Sequence, residues 1–404
     1  MKYRLTYFIT FILSVVAAVA FKDNGSVVQF FQRLSLPLIQ IGVVTSCLFV
    51  LLTTTGGVAA LRRKGTFGVS LFKTILWGVI AMLVSVLLGV ILSLTLPRVL
   101  DVNFLNMPSD VIDAGIMSAS ALFSGSGLLS SPFTIILSIV AVSYLFGYFM
   151  KPDVDVIKPA YIVSNSFAEV GFRLGRFVSY VYTIALFFIG SFWFMSVGFQ
   201  NLGREVWNLI IILAIGTMIL VFIIFPLMYL IGIRFARKTA FGVIFSSIAI
   251  SFSSFFSRNV LFSIPSAEVM LRHENAIPKK NASSMMPLLS IFLRAGVAFV
   301  SFIIAFLIVK FSDIEIGLGS YIALPFVCVA LSVISGFYQG GLEILFVVST
   351  ALQTIGVNNT DYAMILFAIL PFVSSISSFV DTSAAFFGVS ALGVQERDLF
   401  QVIR

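Results

Sequence analysis

Four charged side chains interrupt apolar sequence in the second half of the chain, and their chemistry makes them the candidate functional residues. They are Arg258, Arg294, Glu343 and Asp381. Within a membrane an ionised side chain costs roughly 2.5–3.5 kcal/mol on insertion scales, and such residues commonly mark substrate or ion pathways. A guanidinium binds carboxylates bidentately, and a desolvated carboxylate takes up a proton readily. The group is therefore either a binding and coupling site or a buried network that only holds helices together.

The composition predicts that these residues are set in a membrane protein. Apolar residues make up 59% of the 404 residues, charged residues only 10%, and the mean hydropathy is +1.10. A soluble domain carries about a quarter charged residues. The apolar runs are far longer than the ~10-residue alternating segments of a membrane β-barrel, and backbone groups in lipid must be hydrogen-bonded within their own segment. The predicted fold class is therefore an all-α polytopic membrane protein.

Eight apolar segments are long enough to be transmembrane helices, and two further segments are interrupted by Ser, Gly, Gln or Arg. The predicted spans are 5–21, 34–60, 67–97, 132–150, 178–199, 206–232, 285–310 and 362–393. The interrupted stretches are about 240–266 and 319–353. We expect both stretches to be re-entrant helical hairpins, because basic residues then collect on one side of the membrane. The competing interpretation is two ordinary packed helices with small residues at their contacts.

The distribution of charge predicts cytoplasmic N- and C-termini in a cell (inner or cytoplasmic) membrane. The predicted inside segments hold Lys2, Arg4, Arg62, Arg63, Lys64, Lys151, Lys158, Arg173, Arg176, Arg234, Arg237, Lys238, Arg272, Lys279, Lys280, Arg397 and Arg404. The outside loops hold Lys22, Arg98 and Arg204 and the acidic Asp101, Asp110, Asp113, Asp313 and Glu315. The two hairpins then have opposite orientations, each followed by a helix. Because membrane topology accounts for the net charge of +8, no nucleic-acid partner is predicted.

This order of elements resembles the dicarboxylate/amino acid:cation symporter family, the glutamate transporters, over nearly the whole chain and most clearly from about residue 160. The local matches are Arg258 seven residues before Pro265, Pro287-Leu288, Gly296, and Tyr362-Ala363-Met364-Ile365-Leu366. The resemblance implies an elevator fold. It implies a trimeric scaffold from residues 1–65 and 132–200, a mobile transport part from residues 66–131 and 201–404, and the second hairpin as outer gate.

The family's sodium-binding motifs are altered in this chain. Where the family's first hairpin tip has three serines and a glycine, residues 259–262 read Asn-Val-Leu-Phe, and Ser263 follows. Where its seventh span reads Asn-Met-Asp-Gly-Thr, residues 293–297 read Leu-Arg-Ala-Gly-Val, so that Ala295 replaces the sodium-binding aspartate beside Arg294. In the eighth span, Asp381 is the only charge between residues 371 and 384. A guanidinium repels a cation placed at the family's site, so the usual sodium chemistry is not expected.

The resemblance together with these residues predicts a secondary active transporter for a small carboxylate or amino acid, proton-coupled or ion-independent, in the lipid bilayer and without a cofactor or bound metal. The resemblance implies that it works as a homotrimer. An ion pair between Arg294 and Asp381 would stand in for the coupling ion. Glu343 would pair with a substrate amine or take up a proton. The predicted substrate-binding residues are Arg258, Asn259, Ser263, Arg294, Gly340, Gly341, Glu343, Ser377, Ser378 and Asp381, with Arg294, Glu343 and Asp381 as the coupling group.

Two other functions stay open. One is a sodium-coupled symporter with rearranged ion sites. The other is a non-transporting membrane sensor that kept the fold, which the altered ion motifs favour. An enzyme is not predicted, because the sequence has no credible nucleophile–base pair, metal site or phosphate-binding loop.

Overall fold

The computed structural model describes residues 2–95, 132–150, 157–198, 204–233, 240–311, 317–338, 340–357 and 361–402. Within these residues every regular element is a helix, which confirms the all-α prediction for this part of the chain. The helices are α1 Lys2–Phe21, α2 Gly25–Arg63, α3 Phe67–Thr95, α4 Pro132–Phe149, α5 Lys158–Trp193, α6 Arg204–Ile219, α7 Phe225–Gly232, α8 Ala240–Ser257, α9 Val260–His273, α10 Lys279–Phe292, α11 Ala295–Phe311, α12 Leu318–Ile334, α13 Leu342–Thr354 and α14 Asp361–Val402. A π-helical turn, Leu220–Ile224, joins α6 to α7.

Among the described residues, seven helical segments are long and apolar enough to cross a membrane. They are Tyr3–Phe21, Gly25–Arg63, Phe67–Thr95, Lys158–Ser196, Trp207–Gly232, Lys279–Lys310 and Ile369–Gly393. The remaining predicted span corresponds to α4, which has 18 residues. Large apolar side chains such as Phe72, Phe177 and Ile184 are mostly exposed on the outside of the bundle. An apolar surface of this kind is stable in contact with lipid. The length and apolar composition of these helices indicate a membrane protein.

Several predicted boundaries were wrong, because apolar runs do not mark where helices begin. Helix α2 begins well before residue 34, since the side chain of Asn24 accepts a hydrogen bond from the Val27 amide and caps it. The span predicted at 178–199 is the second half of α5, whose first half is amphipathic. The span predicted at 285–310 is two helices, interrupted between Phe292 and Ala295.

The helices pack in two groups. Helix α2 packs against α4 and α5, and α1 packs against α5, within the range predicted as scaffold. Helix α11 packs against α3, α13 and α14, and α8 packs against α14, within the range predicted as transport part. Helices α9 and α10 also pack against α2 and so connect the two groups.

Each interrupted stretch forms a helix–turn–helix unit in the described part of the chain. In the first unit, α8 and α9 contact each other and are separated only by Arg258 and Asn259. In the second, α12 continues through the 3₁₀ turn Ser335–Phe337 and contacts α13. Both connections contain backbone with positive φ: 55° at Arg258, 71° at Gly340 and 104° at Gly341. The four helices therefore bring two sharp turns into the packed half of the molecule.

Part of the charge pattern that predicts orientation lies outside the described residues or at side chains that the structure does not describe. These residues are Lys2, Arg98, Asp101, Asp110, Asp113, Lys151, Arg204, Arg234, Arg237, Lys238, Asp313, Glu315, Arg397 and Arg404.

Candidate functional site

Arg294, Glu343 and Asp381 form one ion-paired group, which we call the charged triad. Arg294 Nε donates to Asp381 Oδ2 at 3.0 Å, and Arg294 Nη2 donates to Glu343 Oε1 at 2.9 Å. Arg294 Nη1 donates to the main-chain oxygen of Tyr338 at 3.2 Å. The ion pair expected between Arg294 and Asp381 is thus present, and the guanidinium also binds a second carboxylate.

The triad is sealed from solvent. Arg294 and Glu343 are 0% exposed and Asp381 is 1% exposed. Taking charges out of water is costly unless their hydrogen-bonding capacity is filled, and each nitrogen of this guanidinium has an acceptor. With all three groups ionised, one positive and two negative charges leave a net charge of −1. One further bound positive charge would neutralise the triad.

An interruption in the helix that follows the first unit positions Arg294 and orients Asp381. Leu293, with φ −114° and ψ 67°, ends α10, and α11 begins at Ala295. The amide of Gly296 in the first turn of α11 donates to Asp381 Oδ1 at 2.6 Å. A side chain at Gly296 would collide with the main-chain oxygen of Ser377 on α14. The glycine therefore lets α11 approach α14 closely enough for its N-terminal amides to bind the carboxylate.

The turn of the second unit positions Glu343 in the same way. Gly341, in the left-handed conformation, precedes α13, and its amide donates to Glu343 Oε2 at 2.9 Å. Glu343 lies in the first turn of α13, where a carboxylate is stabilised by the helix dipole. Gly340 is exposed and has open space around it. Since the oxygen of Tyr338 also binds Arg294, the triad connects the second turn to α11 and α14.

Arg258 lies at the turn of the first unit, and its guanidinium has no partner among the described residues. It is half-buried, and none of the described residues forms a hydrogen bond or ion pair with its guanidinium. Its φ of 55° is uncommon for a residue with a β-carbon. The neighbouring Asn259 caps α9, because its Oδ1 accepts from the Leu261 amide at 2.9 Å. The structure thus gives Asn259 a structural contact and leaves Arg258 with an unused anion-binding group.

The four serine hydroxyls between residues 374 and 378 of α14 divide into two kinds. Ser374 and Ser375 donate to the main-chain oxygen of Pro371 at 3.3 and 2.8 Å, so they bond back to their own helix. Ser377 and Ser378 are buried, and their hydroxyls have no hydrogen-bond partner among the described residues. These two hydroxyls are the ones available to a substrate or to water.

Small polar residues hold the first unit against α14. Ser263 Oγ donates to the oxygen of Val260 at 2.7 Å and lies 3.3 Å from the hydroxyl of Thr382, the residue after Asp381. Ser254 Oγ donates to the oxygen of Ser378 at 3.0 Å. The first turn is therefore fixed beside the part of α14 that carries Asp381.

One buried acid was missed in the sequence, where the candidate charges were counted as four. Glu268 is 0% exposed, and neither carboxylate oxygen has a hydrogen-bond partner in the described structure. The predicted interrupted stretch ends at about residue 266, two residues before Glu268. Helix α9 instead continues to His273. The apolar residues directly after Glu268, Val-Met-Leu at 269–271, are the sequence signal that points to its burial.

Two apolar pockets in the described part of the chain lie away from the triad. A cavity of about 790 Å³ lies between α3, α11 and α12, and one of about 500 Å³ lies among α1, α5, α6, α8 and α14. Both are lined almost entirely by apolar side chains and by no triad residue.

The triad itself does not resemble a metal site, because its central group is a guanidinium. In the described residues, no cluster of three or more His, Cys, Asp or Glu is placed to hold a metal ion. Cys47 and Cys328 are both buried and unpaired. No protein-family model matches the sequence and no curated protein matches it, so its function is argued from its own residues.

Proposed function

We propose that this chain is a secondary active transporter of the glutamate-transporter fold, which moves a small carboxylate or amino acid and uses a proton in place of sodium. The observation that carries the proposal is the charged triad. It joins the turn of one helix–turn–helix unit, the interrupted helix after the other unit, and α14. Interrupted helices carrying buried charge are typical of the central sites of secondary transporters.

The unused polar groups around the triad support binding of a substrate over a purely structural network. A network that only holds helices together has no need of a free guanidinium at a neighbouring turn. Arg258 supplies such a group, suited to a substrate carboxylate. The hydroxyls of Ser377 and Ser378 add buried donors without partners in the described structure.

The charge of the triad supports a proton as the coupling ion. Arg294 occupies part of the motif where the resemblance implies sodium ligands, and both carboxylates already bind its guanidinium. Sodium prefers several free oxygen ligands. A proton needs only one carboxylate oxygen, and a single proton would cancel the net charge of −1.

The same proposal includes the membrane arrangement. The two helix–turn–helix units would enter from opposite sides, with both termini cytoplasmic, and α3 with residues 201–404 would move against a homotrimeric scaffold. Three ion pairs connect the scaffold part to the moving part. Glu169 on α5 pairs with Lys279 at 2.8 Å and with Arg272 at 3.8 Å, and Arg4 on α1 pairs with Glu274. The pairs of Glu169 are partly exposed and contribute only about 0–1 kcal/mol each, so they would oppose such a movement little.

A sensor that keeps the fold without transport is the second candidate. The observation that favours it is the saturation of the triad, in which Arg294 and both carboxylates are hydrogen-bonded and neither of the two apolar pockets is lined by them. A sodium-coupled symporter would need ligands other than the triad.

The test is uptake by the purified protein in liposomes, with labelled aspartate, glutamate, neutral amino acids and dicarboxylates supplied under separate sodium and proton gradients. We expect uptake of one of these classes under an inward proton gradient and no dependence on sodium. Arg258→Ala should abolish it, whereas Arg173→Ala, at a side chain 75% exposed, should not. Uptake that requires sodium would replace the proton with sodium in the proposal, and no uptake of any class would favour the sensor.

A further inference from the structure

Glu268 is a buried carboxylate that the triad does not use. It lies on α9, and α9 packs against α2, α5, α8, α10 and α14. The side chain of Thr53 on α2 approaches the carboxylate, but its hydroxyl donates to the main-chain oxygen of Phe49 at 2.9 Å. Neither carboxylate oxygen of Glu268 therefore receives a hydrogen bond from the described residues.

The other groups that face Glu268 offer it no free positive charge. On α10, the ammonium of Lys279 is bound to Glu169 of α5 at 2.8 Å. On α4, the hydroxyl of Tyr144 donates to the main-chain oxygen of Ser284. The acid of α14 whose side chain the structure describes, Asp381, is bound to Arg294.

Three arginines of α5 and α9 lie near Glu169 or are exposed. On α5, Arg173 is 75% exposed and lies 4.0 Å from Glu169, and Arg176 is exposed. Arg272, on α9 itself, lies 3.8 Å from Glu169. None of these groups therefore donates a hydrogen bond to Glu268, and the positive charge that acts on it, Lys279, is already bound to Glu169.

The protonation state follows from this environment. An ionised carboxylate without a partner costs several kcal/mol in a low-dielectric interior, whereas a neutral carboxyl group costs about 1–3 kcal/mol on the mutational scale. Burial and lack of a partner therefore favour the protonated form of Glu268 as it lies against α2.

We propose that Glu268 is a second proton-binding site, which holds a proton while α9 is docked against α2 and releases it when that contact opens to water. The inference rests on the proposed function, because it assigns Glu268 to the moving part and α2 to the scaffold. It adds a site that changes environment with the movement itself, whereas the triad lies wholly within the moving part. No bond other than O–H is formed or broken: the carboxylate takes a proton from water on one side and returns it to water on the other.

Infrared spectroscopy of the purified protein in lipid tests the site without requiring transport. The wild type should show the carbonyl stretch of a protonated carboxylic acid at neutral pH. The band should remain when the triad carboxyl groups are removed by Arg294→Leu with Glu343→Gln and Asp381→Asn, and Glu268→Gln in that background should lose it. Asp23→Asn, which removes an exposed acid away from this interface, should keep it. Absence of the band in the wild type, its persistence when Glu268→Gln is added to that background, or its loss on addition of sodium chloride would overturn the proposal.

Two further measurements separate this inference from the proposed function. The thermal unfolding midpoint of the wild type should fall as pH rises and the buried carboxyl group loses its proton, and Glu268→Gln should show a flatter dependence. In liposomes, Glu268→Gln should lower the rate of proton-driven uptake at least tenfold. It should still exchange substrate between equal concentrations on the two sides of the membrane. Proton-driven uptake by Glu268→Gln equal to that of the wild type would exclude Glu268 from coupling even if the infrared band identifies the site.

Discussion

Removal of the guanidinium from the charged triad should destabilise the protein strongly. Arg294→Leu leaves Glu343 and Asp381 buried and deprives both carboxylates of their counter-charge. Breaking a buried ion pair by removing one partner costs about 3–5 kcal/mol, and the lost hydrogen bond to the oxygen of Tyr338 adds about 1 kcal/mol. We therefore expect the free energy of unfolding to fall by about 4–6 kcal/mol.

A compensating variant separates uncompensated charge from lost packing. Arg294→Leu combined with Glu343→Gln and Asp381→Asn removes all three charges and should recover most of the loss, since apolar replacement of a whole buried ion-pair network is often nearly neutral. Arg173→Leu changes an exposed arginine and should alter the free energy of unfolding by less than about 0.5 kcal/mol.

The assay is reversible denaturation in mixed micelles, followed by helical circular dichroism at several values of pH. The loss in Arg294→Leu should shrink as pH falls, because protonated carboxyl groups need no counter-charge. A loss below about 1 kcal/mol, or a triple variant no more stable than Arg294→Leu alone, would refute the description of the triad as a desolvated ion-paired group.

Three further substitutions test the geometry around the triad. Gly341→Ala should unfold at a markedly lower temperature than Gly340→Ala in a thermal scan. Both positions have positive φ, but only a β-carbon at Gly341 would meet the side chain of Leu370, at 2.7 Å. Equal unfolding midpoints would contradict the packing of the second turn. Gly296→Ala should cost about 1–3 kcal/mol in micelle denaturation, because its β-carbon meets the backbone of α14; a neutral result would remove the close approach that orients the carboxylate. Arg258→Ala should change the unfolding midpoint little, because the guanidinium has no described partner to lose, and it should abolish uptake. Strong destabilisation with uptake intact would assign Arg258 a role in the fold.

Composition and hydrophobic patterning predicted the helical class and most spans, because the requirement for internal backbone hydrogen bonds in lipid leaves few alternatives. Helix boundaries were less accessible. The start of α2 depends on a side-chain cap at Asn24, and the break at Leu293 depends on the packing of α11 against α14. Neither the cap nor the break changes the hydropathy of the sequence, so the apolar pattern does not predict them.

The charged residues were predicted better than their surroundings. Arg294, Glu343 and Asp381 were identified because charged residues are rare in apolar sequence. That their side chains meet in one group depends on the packing of helices α11, α13 and α14. Glu268 was missed because the apolar stretch was ended too early, and its isolation depends on Thr53 bonding elsewhere. Hydrogen-bond partners on other helices are set by tertiary packing, which spacing along one segment does not specify.

The central claim, that a proton moves with substrate through a site containing the charged triad, is tested most directly by recording pH inside sodium-free liposomes loaded with a pH-sensitive dye. Addition of the transported carboxylate or amino acid should acidify the interior. Glu343→Gln with Asp381→Asn should abolish the acidification, and Arg173→Ala should preserve it. Substrate entry without acidification, or acidification that persists in the double variant, would contradict the account.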